Sequence, residues 1–241
     1  DGEAGVRSDG KCPCALFSPA PSGNETTGGG IIDETKARLR MDNLVSGDLR
    51  SLRFVWLRKD GLGKNTSLPV FSKKKSDSPY SKLDNLIAFY VNKFDVGANA
   101  TLPESWGDLF PPQASLMVGV TDVVGSVPSS YLKLRNVFLS YLRGVSGPLP
   151  QALGSVDEME NMRGLMIADS SISGTLPSSY GKMSNLQSLT LGGSRISGTL
   201  PSAFASMTNL QYVYLHSNKV SGTLPSDYKS LTNLELLQLS N

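Results

Sequence analysis

The chain has one histidine, His216, and two cysteines, Cys12 and Cys14, so the chemistry open to it is quickly bounded. Nucleophilic catalysis of the Ser-His-acid kind must run through His216. That residue follows Tyr212-Val213-Tyr214-Leu215, whose alternation puts it on the outward face of a strand beside Tyr214, with no acid dictated nearby. The stretch DGLGKNTS, residues 60–67, has the outline of a phosphate loop. It lacks Ser or Thr directly after Gly63-Lys64 and the upstream Gly at the required spacing, so it reads as a loop within a repeat. A Cys12–Cys14 disulfide would close a strained small ring, which leaves pairing with partners outside this stretch or free thiols. The segment offers too few ligands for zinc, and the reading predicts no metal, no cofactor and no enzyme activity. The run Lys73 to Lys75 lacks interleaved aromatics, so it reads as a solvated loop and no nucleic-acid partner is expected. Three sequons, at Asn24, Asn65 and Asn99, lie in loop-like stretches and are candidate glycosylation sites.

The elements that would position these residues come from a repeat. Ser-Gly-Thr-Leu-Pro occurs at residues 173–177, 197–201 and 221–225, a period of 24 residues. A fixed period of this length is the sign of a solenoid. Between the motifs the apolar residues read L-x-x-L-x-L: Leu186, Leu189 and Leu191, then Leu210, Val213 and Leu215, then Leu234, Leu237 and Leu239. In such a strand alternate residues face opposite ways, and one strand cannot bury its leucines alone. Stacking successive coils supplies main-chain hydrogen bonds and closes the apolar faces into one core. Ser194 and Asn218, after the strand, are placed to hydrogen-bond the backbone where the chain bends. Gly174, Gly198 and Gly222 permit a turn, and the prolines that follow stop any strand. Tyr180, Phe204 and Tyr228, with Met183, Met207 and Leu231, should fill the convex side from short helical or irregular segments.

Degenerate copies continue upstream, marked by Leu68-Pro69, Leu102-Pro103, Val127-Pro128 and Leu149-Pro150. Their strands should centre on Val55 and Leu57, Ile87 and Phe89, Leu116 and Val118, Val137 and Leu139, and Leu165 and Ile167. That makes about eight strands in a repeat domain over residues 49–241, with residues 71–82 as a surface insertion. Residues 1–48 form a flank: a Pro/Gly/Ser/Thr loop over 18–30, then a short capping helix from Asp33. A solenoid needs polar caps, so further repeats, or a cap and an anchor, are expected beyond Asn241. The predicted fold is an α/β solenoid: a horseshoe with a parallel concave β-sheet and a mostly irregular or short-helical convex side.

Over 241 residues the charge balance is 23 basic against 21 acidic, a net +2, which carries no commitment to nucleic acid or membrane. No run of 18 apolar residues occurs, so membrane attachment would depend on an anchor outside this chain. The notable surface is the mid-strand outward column, read as Trp56, Ala88, Met117, Phe138, Met166, Thr190, Tyr214 and Gln238. Flanking columns add Phe54, Leu86, Tyr212 and Leu236 on one side and Arg58, Tyr90 and His216 on the other. Large apolar side chains facing solvent in a row mark an interaction site. The alternative is a one-residue slip in the degenerate units, which would make Trp56 and Phe138 core.

The repeat unit, with wording such as MTNLQYVYLHSNKVSGTLPSDYKSLTNL, resembles the leucine-rich repeats of kinetoplastid surface proteins of the promastigote surface antigen type. It is similar in second place to plant-type extracellular leucine-rich repeats, which use a related S-G-x-[IL]-P. The N-terminal flank lacks the tryptophan-rich paired-cysteine cap usual in plant receptors, which favours the first. That resemblance implies a cell-surface or secreted glycoprotein, often lipid-anchored, that engages host proteins through its repeats. The expected function is therefore non-catalytic adhesion or host interaction through the concave face, with a protein ligand such as a host surface protein. A receptor ectodomain linked to a kinase or cyclase, or an inhibitor of secreted enzymes, is the alternative.

Overall fold

The computed structural model describes residues 30–31, 54–58, 86–92, 99–119, 123–151 and 159–239. The predicted strands are all present, and they pair in parallel, each with the next coil. They are β2 (Phe54–Arg58), β3 (Ala88–Asn92), β5 (Ser115–Gly119), β7 (Asn136–Ser140), β9 (Gly164–Ala168), β11 (Ser188–Thr190), β13 (Tyr212–Tyr214) and β15 (Leu236–Gln238). Among the described residues the sheet holds nine strands, one more than the eight expected: β1 (Gly30–Ile31), inside the expected flank, pairs with Val55 and Trp56. The expected capping helix and the insertion at 71–82 lie outside the described residues.

The apolar rule works as expected in the first two regular copies, while in the third Leu234 and Leu237 are half-buried and Leu239 is exposed. Leu186, Leu189 and Leu191 are fully buried, as are Leu210, Val213 and Leu215 to within a few per cent. Each such side chain contributes about 1.5–3 kcal/mol, available only because the neighbouring coils cover it. One degenerate unit departs from its expected register. The inward pair of β3 is Phe89 and Val91, with Leu86 as the leading apolar residue, while Ile87 is exposed. The L-x-x-L-x-L frame therefore starts at Leu86, two residues later than the strand centre at Ile87 and Phe89 implied. Phe89 packs against Trp106 and Phe110, with ring centroids 5.1 and 4.8 Å away, on helix α1 (Ser105–Leu109) and just after it. Burial of this aromatic cluster outweighs the alternative frame.

A second sheet was not legible in the motif. The segments that hold or lead into Ser-Gly-Thr in the regular copies, and their counterparts upstream, were read as turns; among the described residues they form a six-stranded parallel sheet from β4 (Ala100–Thr101), β6 (Val123–Gly125), β8 (Gly144–Pro148), β10 (Ser171–Thr175), β12 (Arg195–Gly198) and β14 (Lys219–Val220). Glycine serves two ends there. Gly198 and Gly222 have φ of 81° and 92°, a left-handed conformation that disfavours side chains. A Cβ on them would also stand 3.0 and 2.9 Å from the methyls of Thr175 and Thr199 on the preceding coil. The threonine of one coil thus rests on the bare glycine of the next. After Pro128, Pro177, Pro201 and Pro225 comes a 3-10 turn, at Ser129–Lys133, Ser178–Lys182, Ser202–Ser206 and Ser226–Ser230, as the short-helical convex side required.

Polar side chains also tie coils together. Asn218, buried at 5% exposure, donates through Nδ2 to the carbonyls of Leu191 (2.7 Å) and Leu215 (3.1 Å) and accepts from the Ile196 N–H (2.9 Å). Leu191 and Ile196 belong to the coil before it. In the earlier coils the same position holds Ser170 and Ser194, which bond each other at 2.9 Å. Under the convex turns, Tyr131 Oη donates to the Pro103 carbonyl (2.9 Å) and Tyr228 Oη to that of Pro201 (3.0 Å). Tyr180 is as deeply buried, but its hydroxyl has no partner, and the next coil has Phe204 in its place.

Asn218→Ala should lower unfolding stability by about 3 kcal/mol, since it leaves several buried main-chain groups unpaired; urea denaturation measures it. In the same assay Tyr131→Phe should cost about 1 kcal/mol, whereas Tyr180→Phe should cost nothing. Burial raises the Tyr131 and Tyr180 phenols well above their ordinary value and Tyr228 to about 12. Unfolded tyrosines ionise near pH 10 while these stay protonated, so above pH 10 the unfolded state holds fewer protons. The stabilisation is complete below pH 10 and should fall as pH rises through 12, which thermal melts across that range will show.

Candidate functional site: the concave face

Parallel pairing puts one residue of each coil in line with its counterpart on the next. The central outward column runs Trp56, Tyr90, Met117, Phe138, Met166, Thr190, Tyr214, Gln238. Tyr90 therefore replaces Ala88 in the expected column. Ala88 belongs to the first flanking column, in line with Phe54, Ser115, Asn136, Gly164, Ser188, Tyr212 and Leu236. Leu86, expected in that column, is core. Both corrections follow from the β3 register. The other paired residues keep the register that the repeat gave them, and Phe138 faces outward, so the one-residue slip does not occur at that coil. Trp56 lies at its register position, with its side chain outside the described residues.

From Tyr90 to Met166, four consecutive coils present a bulky half-buried side chain, and Tyr212, Tyr214 and His216 do so further along. Desolvation by this setting raises the Tyr90 phenol above its ordinary value. Between the two groups the face is floored by small residues: Gly164, Ala168, Ser188, Thr190 and Gly192. The rings on either side lean over that floor. A Cβ on Gly164 would stand 3.3 Å from Phe138 Cζ, and one on Gly192 would stand 2.5 Å from His216 Nε2. Those glycines are the sites that sequence reasoning missed, although glycine at an outward strand position, which weakens a strand, was the signal available.

Hydrogen bonds fix part of the surface. Tyr212 Oη donates to Glu235 Oε2 of the next coil at 2.7 Å. Asn136, buried at 6% exposure, donates through Nδ2 to Ser115 Oγ (2.9 Å), and its Oδ1 has no partner. Among the described residues, the hydrogen-bond partner of the His216 ring is Ser217 Oγ, 3.4 Å from Nδ1. No group of three His, Cys, Asp or Glu among the described residues is placed to hold a metal ion. No helix among them is long and apolar enough to cross a membrane. Asn99 is exposed, with φ of 69°, at the start of β4. Asn24, Asn65, Cys12, Cys14, Gly63-Lys64 and Lys73 to Lys75 lie outside the described residues.

Comparison with known proteins bears on this geometry. The leucine rich repeat family model matches residues 160–220 and 184–241. No curated protein matches the sequence. Among solved structures, the Arabidopsis receptor kinase HAESA in complex with the peptide hormone IDA and the co-receptor SERK1 is 28% identical, with a TM-score of 0.55. The match covers 64% of this chain and 26% of that one. The plant peptide hormone receptor RGFR1 in complex with RGF2 is 24% identical over 77% of this chain and 31% of that one, with a TM-score of 0.53. The structure of PEPR1 with AtPEP1 gives 24% identity, 68% and 26% coverage and a TM-score of 0.51. The chain thus spans about a quarter to a third of the length of these structures. The two-sheet architecture, the matched repeats and these neighbours together define the fold as a leucine-rich repeat solenoid.

Proposed function

We propose that the chain is a non-catalytic extracellular binding module that takes a peptide or protein segment along its concave sheet. The observation that carries this reading is the in-register column from Tyr90 to Met166, with the Tyr212, Tyr214 and His216 cluster beyond it. A folded chain gains little by holding bulky apolar side chains half in water, coil after coil, whereas a partner that covers them gains their contact area. Between the two groups the half-exposed Ser188 and Thr190 cover the sheet with short side chains only, which gives such a segment room to approach it. The likeness to HAESA, a receptor kinase captured with a peptide hormone and a co-receptor, supports the same use of the repeats and favours a receptor ectodomain. The exposed sequon at Asn99 agrees with an extracellular setting. A surface adhesion protein is the second reading, favoured by Ser-Gly-Thr-Leu-Pro wording that resembles the repeats of kinetoplastid surface proteins; it uses the same face.

The test begins by selecting binders of the full chain from a random dodecapeptide library displayed on phage. Titration then compares the wild type with Phe138→Ala/Tyr214→Ala. Affinity should fall at least about tenfold, as loss of aromatic anchors does, with an unchanged unfolding midpoint. Equal affinity in both proteins would move the site off the concave sheet.

A further inference from the structure

One column beside the concave face carries a charge pattern that the binding reading does not explain. It comprises the residue just before each outward column: Ala114, Arg135, Arg163, Gln187, Gln211 and Glu235. Main-chain hydrogen bonds join it without a break, from the Arg135 N–H to the Ala114 carbonyl (3.0 Å), Arg163 to Arg135 (2.7 Å), Gln187 to Arg163 (2.8 Å), Gln211 to Gln187 (2.8 Å) and Glu235 to Gln211 (2.9 Å). Two arginines therefore sit on adjacent coils, their backbones about one strand spacing, roughly 4.8 Å, apart. Arg135 is exposed and Arg163 half-buried. Among the described residues neither guanidinium has an ion-pair or hydrogen-bond partner.

Side chains in this column reach the concave face. Glu235 shows it, accepting from Tyr212 of the preceding coil. Arg163 stands to Asn136 as Glu235 stands to Tyr212, one coil on and one residue back. The residues in line beyond Asn136 and Gly164 are Phe138 and Met166, and Met117 precedes them in the central column. A pair of cations thus borders the apolar shelf on one side, and no Asp or Glu stands in the described outward columns of β5, β7 or β9 to neutralise it.

We propose that Arg135 and Arg163 form an anion anchor beside the Met117, Phe138 and Met166 shelf, and that the partner is an acidic peptide segment with a carboxylate next to a bulky apolar residue. Two like charges one strand apart repel, and a carboxylate between them turns that repulsion into two charge-assisted contacts, strengthened where Arg163 is already partly desolvated. Planar guanidinium forks suit a carboxylate better than lysines would. This inference rests on the concave-face reading, and the same selected peptides test the two separately.

The peptides should be enriched in Asp or Glu adjacent to an aromatic or aliphatic residue. Arg135→Gln/Arg163→Gln should weaken their binding about tenfold and flatten its salt dependence, with thermal unfolding unchanged, because both side chains lie at the surface. Arg135→Glu/Arg163→Glu should invert the preference toward Lys- or Arg-containing peptides in a fresh selection. Peptides that depend on Phe138 and Tyr214 but show no excess of acid, or bind the Gln variant as well as the wild type, would overturn the anchor and leave the concave site standing. Absence of any peptide that depends on the concave face would overturn both.

Discussion

Parallel pairing of each coil with the next is the constraint from which the rest of the molecule follows. It fixes the spacing between coils and obliges every position of the repeat to stand in a column with its counterparts. Inward columns become a continuous core because no coil can cover its own leucines. Outward columns become stripes, so a residue type that recurs once per coil is multiplied into a surface. The polar links obey the same rule: Asn218 reaches back to Leu191 and Ile196, and Tyr131 and Tyr228 reach back to the proline carbonyl one coil earlier.

The regular copies were legible because three cues agree in them: the leucine spacing, the Ser-Gly-Thr-Leu-Pro motif and the 24-residue period. Where the period breaks, only local pattern is left. Around β3, Leu86, Ile87, Phe89 and Val91 are all apolar, so two frames satisfy the alternation. What chooses between them is the contact of Phe89 with Trp106 and Phe110, residues of the following segment that local pattern cannot see. The second sheet was hidden for another reason. Ser, Gly and Thr have turn chemistry, and they form strands here because the stacked coils bring them into line and each Thr methyl finds the room left by the next glycine.

The candidate site was legible in part for the same reason as the core. Once the period is known, Met117, Phe138, Met166 and Tyr214 fall into one column by counting. The positions of Tyr90 and Ala88 needed the β3 register. The floor of small residues between Phe138 and His216 needed the coordinates, because a glycine in a strand is silent about which ring will lie over it. The apolar shelf, the short side chains of Ser188 and Thr190 and the flanking pair of arginines are the features that support the proposed binding of a chain segment.

The central claim is that a partner lies along this column. Among the described methionines only Met117 and Met166 face outward, while Met159, Met162, Met183 and Met207 are buried to 2% exposure or less. The most direct measurement is the rate of hydrogen peroxide oxidation at each methionine, read by mass spectrometry with and without a saturating selected peptide. The account requires Met117 and Met166 to oxidise faster than the buried four in the free chain and to be protected several-fold in the complex, with the buried four unchanged. Oxidation of Met117 and Met166 at the free-chain rate while the peptide is bound would contradict it.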